Sequence, residues 1–226
     1  MTARPARASV DAILSAAEIP SSKWGAARTA GLSDVERTLY RWILRRFATH
    51  GRPNRAQTRE ALERLGLEAD DVFGTLARED LVHLDREGEI RVAYPFSGHP
   101  TAHRVRLPSG HEAYAMCAID ALGIAPMLGQ PIEIVSRDPQ TGAEICAQLG
   151  PDGEGAWQPE SAVVGAGALD SEGDACQGCC PVLNFFASTE SAGRWLEEHP
   201  AVRGLAVSMP EAIASGRVVF SGVLEQ

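Results

Sequence analysis

SDVERTLYRWILRRF, residues 33–47, decides how the first third of the chain folds. Ser33 followed three residues later by Glu36 is the pattern of a capping box, in which each side chain satisfies a backbone N–H of the other at a helix start. Leu39, Trp42, Ile43 and Phe47 then recur at helical spacing, and Gly51-Arg52-Pro53 ends the helix. Outward from this anchor, residues 55–65 predict a second helix stopped by Gly66. A third begins after Glu68 and carries Val72, Leu76 and Leu81, 84–89 is a turn, and 90–96 reads as a strand. Three helices followed by a hairpin outline a winged-helix unit.

Such units often bind DNA, so charge matters. Residues 41–64 hold seven Arg against two Glu, and residues 67–90 hold eight acids against two Arg. The basic stretch fits a DNA face, and equally a solvated helix surface balanced by its neighbour. The whole chain of 226 residues has a net charge of -9, which disfavours nucleic acid or an anionic membrane as the main partner. Five Cys, an odd number, in a chain long enough to build its own core read as reduced thiols of a cytoplasmic protein. No stretch approaches the ~20 apolar residues of a membrane span, and the segment after Arg4 and Arg7 is too short and acidic for a secretory signal.

Residues 1–30, dominated by Ala, Ser, Arg and Pro, read as a loosely attached tail, with a helix at 9–19 broken by Pro20. Residues 31–96 form the winged-helix-like domain and 97–226 the main one. In the latter, 103–107 is a short strand, 113–124 a helix, 131–136 and 144–149 a hairpin around the turn 138–142, and 161–164 a strand. Then 181–187 is an apolar strand, Ser188 caps a helix ending near His199, 205–208 is a last strand and Pro210 opens a final helix. The expected fold class is α+β: a small N-terminal winged-helix-like domain packed on a mixed α/β core.

Two segments could carry chemistry. In YAMCAIDALG, residues 114–123, Cys117 and Asp120 are three apart on an expected helix and so share a face. An acid beside a thiol cannot ionise with it cheaply: one must hold a proton, or a cation must lie between them. The pair also fits a small buried Cys with an Asp capping a neighbouring backbone group. In DACQGCCP, residues 174–181, Cys176, Cys179 and Cys180 fall within five residues. A structural zinc site lacks two further ligands at standard spacing, and a thioredoxin-like pair would need a helix where an apolar strand follows. A site with few thiolates for a soft ion fits better. None of the six His pairs at ligand spacing apart from the loose His99/His103, and Gly165-Ala166-Gly167 lacks the third glycine of a dinucleotide fingerprint.

Residues 94–97 (YPFS), 100–105 (PTAHRV) and 114–123 (YAMCAIDALG) together resemble the organomercurial (alkylmercury) lyases. So do Thr141-Gly142, Cys180-Pro181 leading into NFFAS at 184–188, and Trp195 before His199-Pro200. The resemblance covers roughly 35–215 and implies cleavage of a carbon–mercury bond to a hydrocarbon and Hg(II). It implies Cys117, Asp120 and Cys180 as catalytic residues, with Cys179 the fallback for the second thiol. Cys117 and Cys180, with Asp120, would hold the mercury of substrate and product. Cys117, near a helix start, would have a lowered pKa and bind first, and Asp120 a raised one. No resident cofactor is implied. Expected partners are an organomercurial substrate, small cytosolic thiols that release Hg(II), and a mercuric reductase that accepts it. Some members carry a further Cys in the segment that here reads Ser136-Arg137-Asp138, where it is absent, while Cys146 and Cys176 are additional. The competing readings are a Cu(I)- or Hg(II)-binding chaperone or sensor without catalysis, and a metal-sensing winged-helix regulator using Cys176, Cys179 and Cys180.

Overall fold

The computed structural model describes residues 10–169 and 179–225. Helix α1 (Val10–Ala16) and two 3-10 turns (Ser21–Lys23, Gly25–Thr29) precede α2 (Asp34–His50), α3 (Arg55–Leu65) and α4 (Ala69–Arg78). The Ser33–Glu36 box forms as expected, with Ser33 N–H donating to the Glu36 carboxylate at 2.7 Å. A second box, Asn54 with Gln57, starts α3, and Gly66 ends it in the left-handed region at φ 65°. The helices bury Leu39, Ile43, Leu44 and Phe47 from α2, Ala61 and Leu62 from α3, and Val72 and Leu76 from α4.

Strands β1 (Val82–Leu84) and β2 (Ile90–Ala93) make the hairpin after α4. It continues through β3 (Phe96–Ser97), β5 (Glu112–Ala115), β4 (Arg104–Arg106), β6 (Ile132–Arg137), β7 (Glu144–Leu149) and β8 (Gly155–Gln158), an eight-stranded antiparallel sheet in that spatial order. The helical region and the core thus share one sheet. A three-stranded antiparallel sheet places β9 (Val163–Leu169) between β10 (Phe185–Phe186) and β11 (Val202–Ser208). Helix α5 (Ala118–Leu128) packs against α7 (Met209–Phe220), and α6 (Thr189–Glu198) covers the small sheet. The α5–α7 approach is close: a Cβ on Gly123 would run into the Phe220 ring, and one on Gly216 would come 2.9 Å from the Gly123 backbone nitrogen. The fold is α+β.

Three expectations are corrected. Residues 10–30 are not a loose tail: Ile13, Leu14 and Ala17 are fully buried, and α1 packs on α7, β9 and β11. Its apolar face is a single turn long, too short for periodicity to outweigh an Ala/Ser/Pro composition. The helix expected at 113–124 starts at Ala118, because 112–115 pairs with β3 and β4. The apolar run AYAMCAIDAL satisfies both periods, and only its neighbours decide. The strand expected at 181–187 shrinks to Phe185–Phe186, because the preceding residues form a turn in which the Val182 and Leu183 N–H groups both donate to the Cys179 carbonyl (3.0 and 3.1 Å).

The Arg-rich face of α2 is largely used internally. Arg41 and Arg45 donate to main-chain carbonyls of Val223, Leu224 and Glu225. On α3, Arg59 and Arg64 pair with Glu63 and Glu60.

Candidate active site

Cys117 is the N-cap of α5. Its backbone is extended (φ -151°, ψ -179°), and its Sγ accepts the Asp120 N–H at 3.4 Å. Ser, Thr, Asp or Asn usually caps a helix because oxygen accepts better than sulfur. A thiol here is a weaker cap and a softer ligand. Asp120 sits in the first turn, so its side chain and the Cys117 sulfur meet at one helix end rather than along one helix face.

The turn 179–184 delivers the other thiol. The Leu183 carbonyl accepts the Ala118 N–H at 2.8 Å, stitching this turn to the start of α5. Cys180 Sγ lies 3.8 Å from Asp120 Oδ2 and 3.9 Å from the Tyr94 hydroxyl. Cys117, Asp120 and Cys180 offer ligand atoms all within 4.8 Å of one another, and all three residues are buried. Among the described residues, no other His, Cys, Asp or Glu group meets that condition. Cys179 is also buried, beside Cys180 and hydrogen-bonded to it, but outside the group of three. Cys146 lies on β7 with its Sγ 3.9 Å from Glu144 Oε1 and does not join the cluster. Cys176 lies outside the described residues.

Burial sets the protonation of the site. It pushes Asp120 up to about 7, opposed in part by Cys117, by the Arg28 guanidinium and by Cys180. The Cys117 thiol is pushed up to about 12, again mainly by burial, so the lowered value expected from its helix-start position does not arise. The helix terminus offers one N–H to sulfur, and desolvation of a thiolate outweighs that. Cys180 stands well above an ordinary thiol, first through its hydrogen bond with Cys117, and Cys179 is raised by its bond with Cys180 and by burial. At rest the thiols are therefore protonated, and the carboxyl is poised near neutrality.

Tyr94 and Arg28 had no chemical role in the sequence reading. Tyr94 leaves β2 with its carbonyl accepting from the Tyr40 hydroxyl at 2.8 Å, while its own hydroxyl meets Cys180. No local pattern in the sequence marks Arg28, which stands in an Ala-rich turn. His103, read as structural, is buried with Nδ1 2.9 Å from Ser136 Oγ and its ring edge-on to Phe185. Burial holds it down to about 4, a neutral imidazole at physiological pH.

Two thiols and a carboxyl group are held dry at one helix start on this α+β scaffold, a donor set chemically suited to a soft metal ion. A family model described as alkylmercury lyase matches residues 96–221. The chain belongs to the alkylmercury lyase family. It is 30% identical over 135 residues to an alkylmercury lyase of Staphylococcus epidermidis, a match covering 60% of this chain and 62% of that one. It is 29% identical over 155 residues to one of Streptomyces lividans, covering 69% and 70%. The crystal structure of the mercury-bound form of MerB2 superposes with a TM-score of 0.68 at 21% identity, over 92% of this chain and 98% of that one, which supports the fold.

Proposed function

We propose that this chain cleaves the carbon–mercury bond of alkyl- and arylmercury compounds by protonolysis, with Cys117, Cys180 and Asp120 as its catalytic residues. The observation that carries the reading is the contact of the Cys180 thiol with the Asp120 carboxylate, beside Cys117. R–Hg⁺ is a soft cation, and thiolate is its best protein ligand. It arrives as a thiol adduct. Cys117 exchanges onto mercury and its proton leaves with the displaced thiol, since mercury binding drives a deprotonation that the empty pocket resists. Cys180 then passes its proton to Asp120 and adds as the second thiolate. Two sulfurs push electron density onto mercury and weaken the carbon bond. Neutral Asp120 returns its proton to the leaving carbon. The hydrocarbon departs, Hg(II) stays on Cys117 and Cys180, and Asp120 is again ionised. A carboxyl titrating near neutrality suits both halves of this shuttle.

Two small cytosolic thiols, or the cysteine pair of a mercuric reductase, then take the Hg(II), so the enzyme would work in the cytoplasm. A metal chaperone with the same thiols would have no use for a buried acid against one of them. The test is to incubate the purified protein with phenylmercury and excess thiol and to measure benzene. Stoichiometric turnover is the expected result. Tight mercury binding with no benzene above the protein-free control would leave only the chaperone reading.

A further inference from the structure

Arg28 is buried at 6% exposure, yet among the described residues it has no ion-pair partner, and its Nη1 has no hydrogen-bond partner. A buried guanidinium with no carboxylate in ion-pair contact is costly, so its placement calls for a reason. Its Cζ lies 4.8 Å from the centroid of the Phe220 ring and 5.6 Å from that of Tyr94, within cation–π range of both. The Tyr94 hydroxyl, at the far end of that ring, is the group that meets the Cys180 sulfur.

We propose that Arg28 is a positioning residue of the reaction: it clamps the Tyr94 ring against Cys180 and supplies the fixed positive charge that the dry site needs when its thiols become thiolates. The inference rests on the proposed lyase activity. In that sequence the group R–Hg with two thiolates and a neutral Asp120 carries one negative charge. After protonolysis the charge sits on Asp120 beside neutral Hg(II) dithiolate. Both states need a cation that is already in place, since pre-positioned charge does not have to reorganise at the moment of reaction. Among the described residues, Asp80 also acts on Asp120 but has the wrong sign, and it is hydrogen-bonded to His83 Nε2 at 2.7 Å.

The turn that carries Arg28 is locked down. Arg28 Nε donates to the Lys23 carbonyl at 3.2 Å, and Lys23 Nζ donates to the Glu79 carbonyl. Gly25 has φ +50°, and a Cβ there would lie 2.8 Å from the Ser221 carbonyl oxygen. Arg28 and Tyr94 both lie outside residues 96–221, so the segment before the matched region adds to a cluster whose two thiols and carboxyl come from within it.

The test compares full-length wild type with Arg28→Met, Arg28→Lys and Tyr94→Phe, measuring kcat and KM for benzene release from phenylmercury. Arg28→Met is expected to lower kcat about 10- to 100-fold, with KM within about threefold, because the charge acts on states formed after binding. Arg28→Lys, which restores a cation, should recover most of that loss. Tyr94→Phe should lower kcat less, and its combination with Arg28→Met should cost less than the product of the two. If Arg28→Met does not fold, Arg28→Gln replaces it as the uncharged variant. Full kcat in a folded uncharged variant, or Arg28→Lys no better than Met or Gln, would overturn the inference. Wild type that releases no benzene would instead overturn the activity on which it rests.

Discussion

Two aspartates expose almost no surface in this chain, Asp120 at 5% and Asp138 at 1%, but Asp120 lies deeper, and they have opposite chemistry. Asp138 is saturated with donors. Its Oδ1 accepts the N–H groups of Gln140 (2.8 Å) and Thr141 (3.2 Å), and its Oδ2 accepts the Ala187 N–H (2.9 Å) and the Ser191 hydroxyl (2.6 Å). These bonds hold it below the ordinary carboxylate range despite its burial. Asp120 faces thiols, which are weak donors, and rises to about 7. Burial raises a carboxyl, and its depth together with the number and strength of the donors decides whether it stays raised. Asp138 is scaffold: it ties the β6–β7 turn to the start of α6, just beyond the strand that follows Cys180. Asp120 titrates near neutrality because burial outweighs the weak thiol donors and the Arg28 charge that favour its ionised form.

The contrast is sharpest in activity. Cys117→Ser and Cys180→Ser should each lower kcat/KM for phenylmercury by at least ~1000-fold, and Asp120→Asn by ~100-fold or more, since an amide cannot shuttle a proton. Full activity in Cys180→Ser together with loss in Cys179→Ser would assign the second thiol to the neighbouring residue. Asp138→Asn should leave the chemistry in place but cost ~2–4 kcal/mol in denaturant unfolding, because its amide N–H₂ would confront groups that already donate. A benzene-release defect in Asp138→Asn as deep as that of Asp120→Asn, in folded protein, would erase the distinction.

The next effect is in the pH dependence of stability. Asp120 has a folded value of about 7, above its ordinary 3.8, so the folded state holds the proton longer. Its contribution is most favourable below the unfolded value and is lost as pH rises towards and past 7, by up to ~4 kcal/mol. Asp120→Asn should remove that decline. Asp138 has the opposite sign: its depressed value stabilises the fold above pH ~4 and is lost as pH falls through the folded value. Urea unfolding of the two Asn variants between pH 3 and 8 separates them, and parallel profiles would refute the opposite assignments. The smallest effect belongs to Cys146→Ser, with activity within about twofold and stability within ~0.5 kcal/mol of wild type, as for a surface change away from the site.

What could be read without coordinates was whatever short-range chemistry dictates. The Ser33–Glu36 box, the Gly66 stop, the Asp138–Gly142 turn and the Ser188 cap are decided by residues within one turn of each other, and all four appear where the sequence places them. The resemblance carried by residues 114–123 and 180–188 pointed to the two thiols and the carboxyl. The misreadings fall where local preference is balanced: 112–115 fits strand or helix, and 10–17 buries only a short apolar face.

Length, charge, helix punctuation and the identity of the chemistry-bearing residues were determined by the sequence itself. Tertiary structure decided what state those residues are in. It folds the turn after Cys179 onto the start of α5, dries the pocket so that Cys117 keeps its proton, starves Asp120 of donors, and brings Arg28 behind Tyr94 from a segment that looked like a tail. The physical reason is that proton affinity depends on solvent exclusion and on partners distant in the chain, and neither is a property of neighbours in sequence.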